Sequence, residues 1–156
     1  MKIPVSWLKD FVDLENITVN RLCEALVSVG FEVEEVIELG REISNVVVGE
    51  IISMEKHPDA DKLKVCRVDV GKEVLQIVTA ATNVKTGDKI PLALNGATLA
   101  GGTVIKNGKL RGVASNGMMC GGEELGICED QYAGASVDGV LILEQNAEVG
   151  LSLIHI

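Results

Sequence analysis

The sequence has very few aromatic side chains. Only four of its 156 residues are aromatic, and none of them lies between residues 32 and 131; the four are Trp7, Phe11, Phe31 and Tyr132. Proteins that hold single-stranded nucleic acid stack bases on aromatic rings, which contributes roughly 1–3 kcal/mol per base. The long central segment lacks the side chains for that mode of binding.

Long apolar runs and paired cysteines are also missing. No apolar stretch approaches the roughly 18 residues of a membrane span, and the first residues lack the apolar core of a signal peptide. The four cysteines form no CxxC pair, and the two histidines lie far from Cys120 and Cys128 in sequence. We therefore expect reduced thiols in a cytoplasmic protein, with no zinc site.

Motifs of known catalytic machinery are absent as well. The sequence has no Ser-His-Asp order, no P-loop and no GxGxxG segment. Asp59 and Asp61 stand near His57 and could be read as a metal site or an acid–base pair. Because Lys62 and Lys64 follow directly, a solvated turn with balanced charge is favoured. We predict that this chain binds a partner and contains no catalytic residue.

Charge is distributed unevenly along the chain. The net charge is −9, yet residues 89–122 contain no Asp or Glu and four cations, which are Lys89, Lys106, Lys109 and Arg111. The next 34 residues contain seven acidic residues and no basic one. A basic segment inside an acidic chain predicts contact with an anionic partner. Charge alone leaves open the alternative that two turns simply carry solvated lysines.

The first 39 residues predict helices and one strand. We expect a short helix over residues 6–11 with Ser6 as its cap, and a second helix that begins after Thr18 and stops at Gly30. Alternation over residues 31–34 predicts a strand with an acidic, solvated face. Residues 40–45 would then join this part to the next domain.

The remainder predicts a mainly β domain. Expected strands cover residues 46–54, 65–70, 74–78, 90–94, 104–105, 109–110 and 140–143, with turns at residues 71–73, 95–96 and 107–108. Short strands separated by glycine-rich turns are typical of a small antiparallel barrel or sandwich.

Candidate binding residues cluster in the basic segment. Lys109 and Arg111 are two positions apart, so in a strand both would lie on one face with Leu110 buried behind them. Ser115 and Asn116 would add uncharged donors. A basic surface without aromatic rings suits phosphate and 2′-hydroxyl contacts with folded RNA. Two further cations, Lys62 and Lys64, are weaker candidates for the same RNA surface.

Several short motifs follow one another in the order of a known domain. They occupy residues 57–63 (HPDADKL), 87–88 (GD), 109–113 (KLRGV), 115–118 (SNGM) and 124–126 (ELG). Together they resemble the tRNA-binding OB-fold domain shared by several tRNA synthetases and free-standing tRNA-binding proteins. The resemblance implies an antiparallel β-barrel over about residues 40–150 that contacts tRNA. Residues 80–83 and 121–122 depart from the usual family pattern.

The beginning of the chain narrows the resemblance. Residues 3–9 (IPVSWLK) and 30–34 (GFEVE) are similar to the start of the β subunits of bacterial phenylalanine–tRNA ligases, which precedes the same OB domain. Residues 1–39 would then be an N-terminal α/β appendage. Residues 151–156 are similar to a translated sequencing adapter, so we expect them to be a non-native tail.

This family resemblance implies a parent enzyme and partners. The parent would be a cytoplasmic αβ heterotetramer that uses ATP and magnesium to attach phenylalanine to tRNA, with the catalytic site on the α subunit. The fragment itself would be a noncatalytic tRNA-binding module. Two alternatives stay open: a free-standing tRNA-binding protein, or an OB scaffold for protein contacts within a synthetase.

Overall fold

The computed structural model of the chain describes residues 2–37 and 42–153. Two compact units are present, Met1–Glu38 and Leu39–Ile156. The predicted joint at residues 40–45 falls partly outside the described residues. Within the two described stretches, no helix has the length and apolar character needed to cross a membrane.

Over residues 2–37 the first unit contains two helices, α1 (Val5–Leu8) and α2 (Val19–Ser28). The predicted cap of α2 is confirmed, because the Thr18 hydroxyl accepts a hydrogen bond from the Arg21 backbone N–H at 3.3 Å. The prediction for α1 is wrong in its bounds, since Pro4 occupies the cap position and the helix ends at Leu8. Proline suits this end of a helix because no intrahelical bond needs its missing N–H.

The strand predicted at residues 31–34 does not form. Residues 31–37 are irregular, although apolar and acidic side chains alternate over residues 31–34. A strand needs hydrogen bonds to a neighbouring strand, and the described part of the first unit contains no other strand. The alternating pattern alone therefore does not produce a strand where no partner strand is present.

Several large apolar side chains of the first unit are exposed. Trp7 and Phe31 are each 64% exposed and Phe11 is 86% exposed. Exposed apolar groups that lie together mark surfaces where other molecules bind. The first unit therefore presents large exposed apolar side chains, and we expect a hydrophobic dye to bind there.

We expect Phe11→Ser to remove most of the fluorescence gained by a hydrophobic dye on binding the chain, because it deletes the most exposed ring. Val104→Ser provides a matched control, since Val104 is 51% exposed but belongs to the second unit. The measurement is a dye titration of both variants. Equal fluorescence from Phe11→Ser and the unmodified chain would contradict the assignment.

Seven strands form the frame of the second unit over residues 42–153. They are β1 (Ser44–His57), β2 (Ala60–Asp69), β3 (Val74–Thr79), β4 (Lys89–Thr98), β5 (Gly108–Leu110), β6 (Val113–Ser115) and β7 (Met118–Met119), followed by a short helix α3 (Gly122–Leu125). Five strands make one antiparallel sheet in the order β3-β2-β1-β4-β7, and β5 pairs with β6. The predicted mainly β, OB-like fold is confirmed.

Local turn signals account for part of this topology. The predicted β2–β3 hairpin forms, and Asp69 accepts a hydrogen bond from the Gly71 N–H at 2.7 Å where Gly71 adopts a φ of +84°. The turn predicted at Asn95 and Gly96 is wrong, because both residues lie inside β4. The strand predicted at residues 140–143 reduces to one bridge between Leu143 and Lys89.

The sheet is open at its two edge strands. β3 and β7 are not joined by a hydrogen-bonded ladder in the described residues, so the sheet is OB-like but does not close there into the predicted barrel. Ser115, just after the β5–β6 turn, accepts a hydrogen bond from Val78 in β3 and donates one to the Gly117 carbonyl, both at 3.0 Å. Side-chain hydrogen bonds thus bridge the seam between β3 and β7.

The end of the described chain pairs with β1. The Val48 N–H donates to the Leu151 carbonyl at 2.9 Å, and Ser152 forms a bridge with Val47. The fold therefore uses the first two residues of the segment that the sequence marks as a non-native tail. Residues 154–156 of that segment lie outside the described residues.

Candidate nucleic-acid interface

The β5–β6 hairpin carries the two principal candidate residues. Its turn consists of Arg111 and Gly112, which have φ angles of +50° and +84°. Two consecutive positive φ angles are typical of the tight turns that join paired strands. Lys109 lies in β5 opposite Ala114, and both candidate cations are exposed.

This arrangement corrects the predicted hairpin. The turn was expected at residues 107–108, but the Asn107 N–H donates to the Asn95 side-chain oxygen at 3.0 Å and is thereby fixed against β4. The strands consequently pair farther along the chain, and Arg111 lies in the turn instead of on a strand face. Leu110, expected to be buried, is 46% exposed.

The β1–β2 hairpin supplies a second group of cations. Lys64 in β2 is directly opposite Lys56 in β1. Lys64 lies two residues and Lys62 four residues before the buried Cys66, so in a regular strand they lie on the same face of β2 as Cys66, which packs into the core. Like charges placed opposite one another destabilise a sheet, so this lysine group favours an anionic partner.

Sequence reasoning missed Lys56. The predicted strand ended at Met54, whereas β1 continues to His57. Met54 is packed against the core and Lys56 lies two residues beyond it on the same strand. Two features of the sequence could have identified Lys56: its spacing of two residues from the apolar Met54, and the lysines at positions 62 and 64 beyond the turn.

The acidic neighbours do not neutralise these lysines by ion pairing. Within residues 2–37 and 42–153, the one salt bridge joins Arg21 to Glu24 in α2. Asp59 occupies the β1–β2 turn and Asp61 the beginning of β2. The balanced turn expected from the sequence therefore contains charges of both signs without direct pairs.

A buried histidine joins the two hairpins. His57 is 4% exposed, its Nε2 lies 3.0 Å from the Leu110 carbonyl, and its Nδ1 accepts a hydrogen bond from the Asp59 N–H at 3.1 Å. Since Nδ1 accepts, the ring hydrogen resides on Nε2 and is donated to Leu110. The bond from His57 to Leu110 thus joins the two hairpins, and we use the name two-hairpin surface for the five cations that these hairpins carry: Lys56, Lys62, Lys64, Lys109 and Arg111.

The structure places Ser115 and Asn116 at the seam between β3 and β7. Ser115 is 6% exposed, and its hydroxyl is already engaged with Val78 and Gly117. The Asn116 N–H donates to the Gln76 carbonyl at 2.9 Å. Both residues fix the base of the β5–β6 hairpin to β3, and their contact with RNA stays a prediction.

One cation of the basic segment is used internally. The Lys89 ammonium donates to the carbonyls of Gln145 and Ala147, each at 2.7 Å. These bonds fix the loop after residue 143 to the start of β4. Lys89 therefore contributes to the fold, and Lys106 remains as the third exposed cation of the segment.

The cysteines have different environments. Cys66 and Cys120 are buried, Cys23 is half-buried and Cys128 is exposed. Burial raises the pKa of the Cys120 thiol to about 12 and also raises the pKa of Cys66. Both buried thiols are therefore neutral and inert at pH 7. In the described stretches no group of three or more His, Cys, Asp or Glu side chains is arranged to hold a metal ion.

Comparison with known proteins identifies the family. Residues 46–152 match the family described as “Putative tRNA binding domain”. The chain belongs to this family of tRNA-binding domains. The matched range contains both hairpins and the seam, so the predicted resemblance is confirmed for the whole second unit apart from its first and last residues.

Relatives of this tRNA-binding domain are subunits of a ligase. The chain is 53% identical over 151 residues to the phenylalanine–tRNA ligase β subunit of Clostridium acetobutylicum and 50% identical over 151 residues to that of Clostridium tetani. Each alignment covers 96% of the chain and 18% of the relative. The chain thus spans about a fifth of the length of the relatives it matches, and the predicted resemblance to this β subunit is confirmed.

Proposed function

We propose that the chain is the tRNA-binding module of a phenylalanine–tRNA ligase β subunit. The observation that carries the proposal is the hydrogen bond from His57 to Leu110, which joins the two hairpins that carry the five cations of the two-hairpin surface. Phosphate oxygens are the natural partners of such a surface, and the scarcity of aromatic rings favours recognition of folded RNA over stacking of single-stranded bases.

The proposal also covers the parent protein and the two parts into which this chain divides. Residues 1–39 form an appendage and residues 40–150 the tRNA-binding domain of a cytoplasmic β subunit. Together with an α subunit in an αβ heterotetramer, the parent attaches phenylalanine to tRNA with ATP and magnesium. In this assembly the fragment contributes tRNA contacts, and the reaction takes place on other parts of the enzyme. Support comes from the identity to ligase β subunits over nearly the whole chain.

A salt series of tRNA binding tests the proposal. The variant Lys109→Ala/Arg111→Ala should bind tRNA more weakly, and its plot of log affinity against log salt concentration should be flatter by about one to two units, because each cation that meets a phosphate releases counterions. The measurement is a filter-binding or fluorescence titration at several salt concentrations.

A charge-matched variant provides the control. Arg67→Ala/Lys72→Ala removes one arginine and one lysine that are equally exposed. Arg67 is one residue out of phase with Cys66 and so lies on the opposite face of β2, and Lys72 lies in the β2–β3 turn. If both double variants flatten the slope equally, binding is diffuse and the two-hairpin surface is not the interface.

A protein-contact role is the second candidate. It is favoured by the exposed rings of Trp7 and Phe11 in the first unit. Copurification with the cognate α subunit, compared with a tRNA gel shift, separates the two roles. Capture of the α subunit without any tRNA shift would favour the scaffold. For the third alternative, a free-standing tRNA-binding protein, a natural stop codon near position 150 would be the supporting observation.

A further inference from the structure

We propose that His57 is a positioning residue that holds the two hairpins together as one anion-binding surface. This inference rests on the proposed tRNA-binding function and deepens it. It assigns the alignment of the cations to a side chain that does not itself contact the RNA. His57 is buried, so it acts through Leu110 and Asp59 and makes no direct contact with a ligand.

The β5–β6 hairpin is held at two places. Its base is attached to β3, where Gln76 donates to the Ala114 carbonyl at 2.8 Å and Ser115 accepts from Val78. Its tip is attached where His57 donates to the Leu110 carbonyl at 3.0 Å. Among the side-chain hydrogen bonds of the described residues, the His57 bond is the one that reaches the tip.

The tip is where the position of a cation matters. Leu110 immediately precedes Arg111, which has an unfavourable φ of +50° for a residue with a Cβ atom. A fixed Leu110 carbonyl restrains this turn and with it the guanidinium group that the turn carries. Release of that carbonyl would let the Arg111 side chain sample positions away from the lysines of the β1–β2 hairpin.

The same ring also shapes the β1–β2 turn. Nδ1 accepts from the Asp59 N–H, and a bulge separates Lys56 from His57 in the strand pairing. The extra residues of this bulge belong to β2, where Lys64 pairs with Lys56 and Ala60 with His57, and in β1 the buried His57 directly follows the exposed Lys56. One imidazole thus orients the lysine-bearing hairpin with one nitrogen and the arginine-bearing hairpin with the other.

Two substitutions separate the two bonds of the ring. In His57→Asn the shorter amide can accept from the Asp59 N–H but does not reach Leu110. In His57→Gln the longer amide can place its NH₂ group where Nε2 lies and donate to Leu110. A residue that acts only as core filler would not distinguish these variants in this way.

The expected result concerns tRNA binding by the whole chain. His57→Asn should weaken tRNA affinity roughly fivefold, the equivalent of one ordinary hydrogen bond, and should flatten the salt slope. His57→Gln should restore affinity to near that of the unmodified chain. In the Lys109→Ala/Arg111→Ala background His57→Asn should have little further effect, because the cations that it positions are gone.

Each outcome decides a different claim. If the unmodified chain shows no salt-dependent binding of tRNA, the proposed function fails. If Lys109→Ala/Arg111→Ala weakens binding but His57→Asn does not, or if His57→Gln is as weak as His57→Asn, the positioning role of His57 is overturned and the tRNA-binding function stands.

A measurement on the unmodified chain covers the case in which His57→Asn does not fold. Nitrogen-15 NMR of the histidine rings should show the ring hydrogen of His57 on Nε2 and an unprotonated Nδ1. A hydrogen on Nδ1, or fast exchange between the two tautomers, would mean that the ring does not make these two bonds and would overturn the inference.

Discussion

Gly117→Ala is expected to lower the free energy of unfolding by about 3 kcal/mol, since a strained backbone and an overpacked site each cost roughly 1–3 kcal/mol. Gly117 has a φ of +149°, and a Cβ atom placed there would lie 2.5 Å from the Ala93 carbonyl oxygen of β4 and 3.3 Å from Ile77 Cδ1. The Ala93 oxygen is part of the backbone and cannot turn aside.

A neighbouring glycine isolates the effect of the close approach. Gly112 also has a positive φ, +84°, but a Cβ atom there would meet nothing within 4 Å. Gly112→Ala should cost about 1–2 kcal/mol from backbone conformation alone. Urea unfolding followed by circular dichroism measures both. Equal losses for the two variants would show that the seam relaxes around the added methyl group.

Ser115→Ala is expected to cost about 1–3 kcal/mol, the penalty for leaving a buried hydrogen-bonding group without a partner. The Ser115 hydroxyl is the acceptor for the Val78 N–H, and Val78 is 5% exposed, so water does not readily replace the lost oxygen. The same hydroxyl donates to Gly117, whose carbonyl would also lose a partner.

Two measurements define this result. Urea unfolding gives the loss in stability, and amide hydrogen exchange should become faster at Val78 than at the centre of the β2–β3 hairpin. Thr82→Ala is the control, because Thr82 is exposed and surface substitutions usually stay within about 0.5 kcal/mol. A loss for Ser115→Ala no greater than that of Thr82→Ala would mean that packing alone closes the seam.

Features fixed by neighbouring residues were predictable from the sequence. The Thr18 cap depends on a residue three positions away, and the β2–β3 hairpin depends on the turn at residues 71–73. The mainly β content follows from many short apolar runs between glycine-rich turns. Each of these predictions needed only the chemistry of one short segment.

Features fixed by distant residues were not predictable. The register of β5 depends on Asn95, which binds Asn107 from another strand. The burial of Ser115 depends on β3, and the internal use of Lys89 depends on carbonyl groups more than 50 residues away. A count of charges along the sequence located the basic segment. It could not show which of the cations form hydrogen bonds within the fold, as Lys89 does.

The bonds that complete the second unit span long stretches of chain. His57 and Leu110 are 53 residues apart, and Asn83 both donates to and accepts from the backbone of Val140, 57 residues away. Contacts at such separations pay a large loop-closure entropy, whereas the β2–β3 hairpin can form early and locally. We therefore expect the two hairpins to be joined only late in folding, so that a nascent chain acquires its affinity for an anionic partner when its topology is complete.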